Sequence, residues 1–163
     1  MRLATIRLLC VIATLASCVA AAASTRPPAR SVTEAQFVAL INATRRAHHL
    51  RPLRFSLRLR RAARAHSADM LAHGYFEHDS LRELWAHRVR RYMPHARLVA
   101  ETLAWGSGAF AYPPTLVRWW LASPRHRAVL LDPKLQLIGV GLGRGRFHGE
   151  RGALVVTADF ARR

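Results

Sequence analysis

The sequence predicts an α+β domain in which helices cover a small sheet, and three observations carry that prediction. Apolar residues recur at helical spacing up to about residue 122. From Leu137 onward the period changes to short, β-branched runs bounded by glycines. At 163 residues the chain has interior for one domain of ordinary size, and it shows no internal repeat.

The chain opens with a segment that reads as a targeting signal. Met1–Arg7 carries two arginines and no acid, and Leu8–Ala23 is apolar or small throughout, ending in four alanines before Ser24. This is the pattern of a secretory signal peptide over residues 1–23, too short and alanine-rich for a membrane span of about 20 strongly apolar residues. Leu15-Ala16-Ser17-Cys18 resembles a lipoprotein acylation box, so anchoring through Cys18 stands as an alternative to free secretion. Both cysteines, Cys10 and Cys18, lie in this segment, so no disulfide staples the mature domain. Ser24–Arg30, with Pro27-Pro28 and no apolar period, reads as a linker, and the domain is expected over residues 31–163.

Ser31-Val-Thr-Glu34 has capping-box spacing and predicts the start of a first helix. Its core face would be Phe37, Leu40, Ile41 and Thr44, with Arg45 and Arg46 toward water and an end near His49. Ser56 caps a second helix, whose seam Leu59, Ala63, His66 and Met70 runs to a terminal glycine, Gly74. The alanines of that helix invite a close neighbour. Ser80-Leu-Arg-Glu83 repeats the capping spacing and leads a third helix to Pro94. A short extended stretch, Leu98–Glu101, is followed by a glycine-containing loop that holds Trp105. Pro113-Pro114 opens a fourth helix with Leu116, Val117, Trp120 and Leu121 inward, and Ser123-Pro124 restarts the chain as cap and first helical residue. Leu137–Leu142 and Ala153–Phe160 are expected as paired antiparallel strands.

The formal charge is +17, and loss of Arg2 and Arg7 with the leader removes two of those charges. Such a surface favours polyanions. The cations are almost all arginine, Lys134 being the lysine, and they are scattered rather than arranged in a nucleic-acid motif. Dedicated nucleic-acid binding is therefore not expected. Anionic envelope polymers or lipids are the expected casual partners, and a monomer is expected.

Nine histidines invite a metal reading. His48, His49, His87, His95 and His148 have no carboxylate at a useful spacing and read as exposed; His73 reads as surface. His66, on an apolar seam, reads as a hydrogen-bonded core histidine. His78 and His126 differ because each sits at a break between elements, where side chains reach a cleft. Ser67, Ser80 and Ser123 are explained by helical position or capping, which argues against a serine hydrolase. Trp85, Trp119 and Trp120 have core spacing, leaving Trp105 as the aromatic expected to line a cleft.

Six words in order carry a family resemblance. They are Leu40-Ile-Asn-Ala-Thr-Arg45 with Leu50-Arg-Pro-Leu53, Ala65-His-Ser-Ala-Asp-Met70, Tyr75-Phe-Glu-His-Asp79, Ala100-Glu-Thr-Leu-Ala-Trp-Gly106, Trp120-Leu-Ala-Ser-Pro-Arg-His-Arg127 and Ile138-Gly-Val-Gly141. Together they resemble the bacterial CAP domain, the SCP-like domain of cysteine-rich secretory, antigen and pathogenesis-related proteins. The resemblance implies an α-β-α sandwich with a small central antiparallel sheet and a cleft where two histidines meet one or two glutamates. By position in those words, His78, Glu101 and His126 would be the metal or ligand residues. Two departures stand out: the usual Gly-Glu-Asn is Ala100-Glu101-Thr102, and no second glutamate lies near Trp119–Ser123.

Two imidazoles and a carboxylate suit zinc or another divalent ion. Without a helix-borne HExxH word or a second glutamate they do not establish hydrolysis. Three functions follow in order: a binding module for a small apolar or envelope-derived ligand, a metal-dependent hydrolase of envelope material, and a secreted interaction protein without a small-molecule site.

Overall fold

A computed structural model describes residues 32–163. The expected leader, Cys18, linker and Ser31 cap lie outside the described residues. Helix α1 spans Glu34–Ala47, the two-residue strand β1 Arg54–Phe55, α2 Leu57–His73, α3 Trp85–Tyr92, β2 Leu98–Gly106, α4 Pro113–Ala122, α5 Pro124–Leu130, β3 Leu137–Phe147 and β4 Glu150–Arg162. The strands form a four-stranded sheet in the order β1-β3-β4-β2. The pairings β3–β4 and β4–β2 are antiparallel, as expected; β1 adds a parallel edge that the sequence reading did not include.

Alternation along the strands divides the core. Ile138, Val140, Leu154, Val156, Ala158 and Phe160 face α1, α4 and α5, where Phe37, Ile41, Leu116, Trp120 and Leu130 meet them without exposed surface of note. The opposite face packs on α2 and α3 through Leu59, Met70, Val89, Leu137, Val155 and Ala161. The result is a sheet between two helical layers, the α+β sandwich expected.

Close approach of α2 to β3 depends on glycine. A Cβ at Gly139 would overlap the backbone of Leu59 and Arg60, and one at Gly141 the backbone of Ala63 and Arg64. Ala62 and Ala63 are buried at the same contact, which explains the alanine-rich seam. Ser56 Oγ accepts from Leu59 N and Gly74 closes the helix at φ 70°, both as expected.

Other ends moved. Helix α1 is capped by Thr33, whose hydroxyl accepts from Gln36 N while the Gln36 side chain accepts from Thr33 N. Glu34, expected as the partner of Ser31, instead pairs with Arg64 on α2. Arg45 is buried rather than solvated: its guanidinium donates to the carbonyls of Arg51, Leu130 and Asp132 at 2.8–3.0 Å. Ser80 does not cap α3. Its hydroxyl closes a separate turn by accepting from Glu83 N, and Asp79 Oδ1 takes Trp85 N at the helix start. The expected loop after Glu101 is also strand, because β2 pairs with β4 through to Gly106.

Candidate functional site

Strand β2 is an edge strand, and α3 from one layer and α5 from the other both reach it. Between them opens a cleft of about 520 Å³. Its walls are His78, Trp85, Val99, Ala100, Glu101, Ser123, Arg125, His126 and Val129. The three residues singled out from the sequence thus meet: His78 from the loop before α3, Glu101 from β2, and His126 from the first turn of α5.

Glu101 is the centre of the site and is not open to solvent, its side chain being 1% exposed. Oε1 lies 2.9 Å from His78 Nδ1, and Oε2 accepts from Nη2 of Arg88, a buried arginine of α3 whose Nη1 donates to the His78 carbonyl. One guanidinium therefore ties the glutamate and the histidine backbone together.

A further carboxyl completes the arrangement. Asp159 is the register partner of Glu101 across β2 and β4, so both side chains leave the sheet on one face. Asp159 is fully buried, and no N–H or O–H of another described residue donates to either of its oxygens. Its carboxyl faces the same side of the sheet as that of Glu101 without a hydrogen-bond partner, so burial favours its protonated form.

Burial, opposed by Arg88 and by Asp159, pushes Glu101 up to about 7. Burial and the Glu101 charge push Asp159 well above the carboxylate range. The two titrate as a pair. With one proton between them and the positive charge of Arg88, the cluster is neutral, the state a dry interior tolerates.

His78, 47% exposed at its side chain, is held below the usual imidazole range by burial and by Arg88; His126 is lowered by burial and by His78. Both are neutral at physiological pH. A carboxylate at Nδ1 selects the Nδ1–H tautomer of His78 and leaves Nε2 unprotonated, an acceptor or a base.

The three residues do not fit a three-ligand metal centre. Both Glu101 oxygens are engaged and buried, leaving two imidazoles where zinc sites hold three or four protein ligands. Among the described residues no group of three or more His, Cys, Asp or Glu side chains is placed to hold an ion.

The family profile described as the cysteine-rich secretory protein family, CAP, matches residues 38–160. The chain belongs to the CAP family. YkwD of Bacillus subtilis (strain 168) is 32% identical over 116 residues, 71% of this chain and 44% of that protein, so the chain spans under half of that relative. Among solved structures, an extracellular protein with an SCP domain from Bacillus anthracis is 27% identical with a TM-score of 0.67, covering 80% of this chain and 40% of its own. An outer surface protein of Borrelia burgdorferi, 20% identical over 82% of this chain and 96% of its own, shares the fold with a TM-score of 0.68.

In this CAP domain the aromatic of the cleft is Trp85, whose ring lies 6.4 Å from that of His78. Trp105, expected there, is on the same strand face as Glu101 but four residues on, about 13 Å along a strand. It packs instead between Phe147 and His148, with centroids at 5.5 Å from each. The sequence reading missed Arg88 and Asp159 as well. Asp159 left one signal, a carboxylate within the mostly apolar run Ala153–Ala161 of β4. Arg88 left none, being one of several arginines on a short helix. His66 is buried with Nε2 3.0 Å from the Glu77 carbonyl, as expected. Ser67 is buried and bonded to Gly141 O and Thr157 Oγ1, and Ser80 to its own turn, with no histidine bonded to either among the described residues. Ser123 begins α5 without a side-chain cap bond and stands in the cleft wall.

Proposed function

We propose that this CAP domain is an exported binding module that takes a small apolar or envelope-derived ligand into the cleft at the β2 edge. The observation that carries the reading is the make-up of the walls. Trp85, Val99, Ala100 and Val129 supply apolar surface, while His78, His126, Ser123 and Arg125 supply a few polar groups around it. Ligand sites have this composition: mainly apolar, with fixed polar groups that orient the guest. Arg88 and Glu101 hold His78 in place before any ligand arrives, which lowers the ordering cost of binding.

Export is supported by the leader pattern of residues 1–23 and by the relative described as an extracellular protein. Among the described residues no helix is long and apolar enough to cross a membrane. The mass of the mature protein distinguishes an acylated start at Cys18 from a plain one near Ser24.

Hydrolysis of envelope material is the second reading, and a neutral His78 with an unprotonated Nε2 favours it. In that case His78 is the base and Glu101, shielded from any substrate, orients it.

The apolar anion anilinonaphthalene sulfonate is a suitable first probe, since it offers rings to Trp85 and a sulfonate to Arg125. Saturable one-site fluorescence in the wild type, weakened at least about tenfold in the His78→Ala, His126→Ala double variant, is the expected result. Equal binding by the two proteins would refute the cleft as the site.

A further inference from the structure

Three large aromatic side chains stand in water within ten residues of one another. Phe110 and Tyr112 are each 58% exposed and Trp119 is 45% exposed. The Phe110 and Trp119 rings lie 5.7 Å apart with their planes tilted by 30°. Tyr112, two residues after Phe110 and just before α4, lines a shallow groove with Pro113, Pro114 and Leu40. Single exposed apolar side chains need no explanation, but a contiguous aromatic patch does. The core does not require it. Trp120 fills the interior beneath, with Nε1 donating to Leu103 O at 2.7 Å, and Trp119 is turned away from it.

The charge around the patch indicates what covers it. From Thr102 to Leu131 the chain contains no aspartate or glutamate, and Arg118, Arg125 and Arg127 are all exposed; Glu150 of β4 reaches the stretch at its start, accepting from Ser107 Oγ at 3.1 Å. Exposed rings and exposed arginines on one stretch of chain that itself carries no acid match the boundary of an anionic bilayer. Trp and Tyr settle at headgroup depth, and each nearby arginine is drawn to the negative surface. Arginine also pairs with phosphate through two parallel donors.

We propose that the Phe110–Tyr112–Trp119 surface, flanked by Arg118, Arg125 and Arg127, docks this domain on an anionic lipid surface. The patch sits on the helix that runs into the cleft wall: α4, which carries Trp119, ends at Ala122, and Ser123 and Arg125 after it line the cleft. Docking would therefore bring the α5 wall of the cleft toward the headgroups. The docking surface does not depend on what the cleft binds.

Residues Ser31–Arg163 form a compact unit with its own sheet and core, so the test uses that unit without the apolar leader, which would itself partition into lipid. The protein is sedimented with vesicles of phosphatidylcholine alone and of phosphatidylcholine containing phosphatidylglycerol. Binding to the anionic vesicles is expected, with little to the neutral ones. Both the Phe110→Ala, Trp119→Ala double variant and Arg118→Glu should weaken it by about tenfold. Arg61→Glu, an equal charge reversal at an exposed position of α2 in the opposite helical layer, should bind as wild type does. If the double variant does not fold, Tyr112→Ser and Trp119→Ser, made singly at exposed positions, give the same readout. Absence of wild-type binding overturns the proposal. So does binding that Arg118→Glu weakens and the aromatic variants leave intact, which would be attraction to any polyanion.

Discussion

The two faces of the central sheet are built from the same strands and do opposite work. Toward α1, α4 and α5, β4 presents Leu154, Val156, Ala158 and Phe160, a dry apolar surface. Toward α2 and α3 the intervening residues of β4 include Thr157 and Asp159, β3 presents Gly139 and Gly141, and β2 presents Glu101. The first face stabilises by area removed from water. The second replaces bulk with glycine so that a helix backbone fits close, and it then buries charge. A pleat of period two lets one strand supply both, so the site costs the core no continuity.

The glycines give the largest effect. Gly141→Val places branched side-chain atoms against the α2 backbone at Ala63 and Arg64, which cannot withdraw as a flexible side chain would. Loss of soluble folded protein is expected, read by circular dichroism and yield. A folded, wild-type-like variant would mean that α2 is not held where the contact requires.

Arg88→Met comes next. It removes the buried guanidinium that pairs with Glu101, and removing one partner from such a group costs about 3–5 kcal/mol. Urea denaturation at neutral pH measures it; a loss below about 1 kcal/mol, the range of an exposed ion pair, would show that the cluster is wet.

The smallest effect is the most specific. In the folded domain both Glu101 and Asp159 are held above the ordinary carboxylate range. The native state therefore keeps a proton that the unfolded chain releases from about pH 4 upward. Wild-type stability accordingly falls as pH rises toward about 7, where Glu101 titrates. Asp159→Asn offers Glu101 an amide donor with no proton to lose. Its stability should fall less steeply, the gap widening by up to about 1.4 kcal/mol per pH unit. Parallel curves for the two proteins would contradict a shared proton.

Legibility from sequence followed the same division. Local signals on α2, Ser56 and Gly74, gave that helix both ends, and the apolar period gave the inward residues of α4. The six family words brought His78, Glu101 and His126 to one cleft. What stayed hidden depends on partners remote in the chain. Arg45 reads as solvated because the carbonyls of Leu130 and Asp132 that receive it lie more than eighty residues away. Asp159 reads as one strand residue until the β2–β4 register sets it opposite Glu101. Trp85 and Trp105 were exchanged for a related reason. Helical spacing alone suggested core for Trp85, whereas the end of α3 at which it sits opens on the cleft.

The central claim is that a buried carboxylate presents His78 as a neutral imidazole, protonated at Nδ1 and free at Nε2. Nitrogen-15 NMR of the histidine rings, titrated through neutral pH with His78→Ala to assign the signal, measures this directly. The account predicts the Nδ1–H tautomer at about pH 8.5, where Glu101, raised to about 7, is ionised, with conversion to imidazolium only below the usual histidine range, as burial and Arg88 require. A His78 ring that is charged at that pH, or protonated at Nε2 instead, would contradict it.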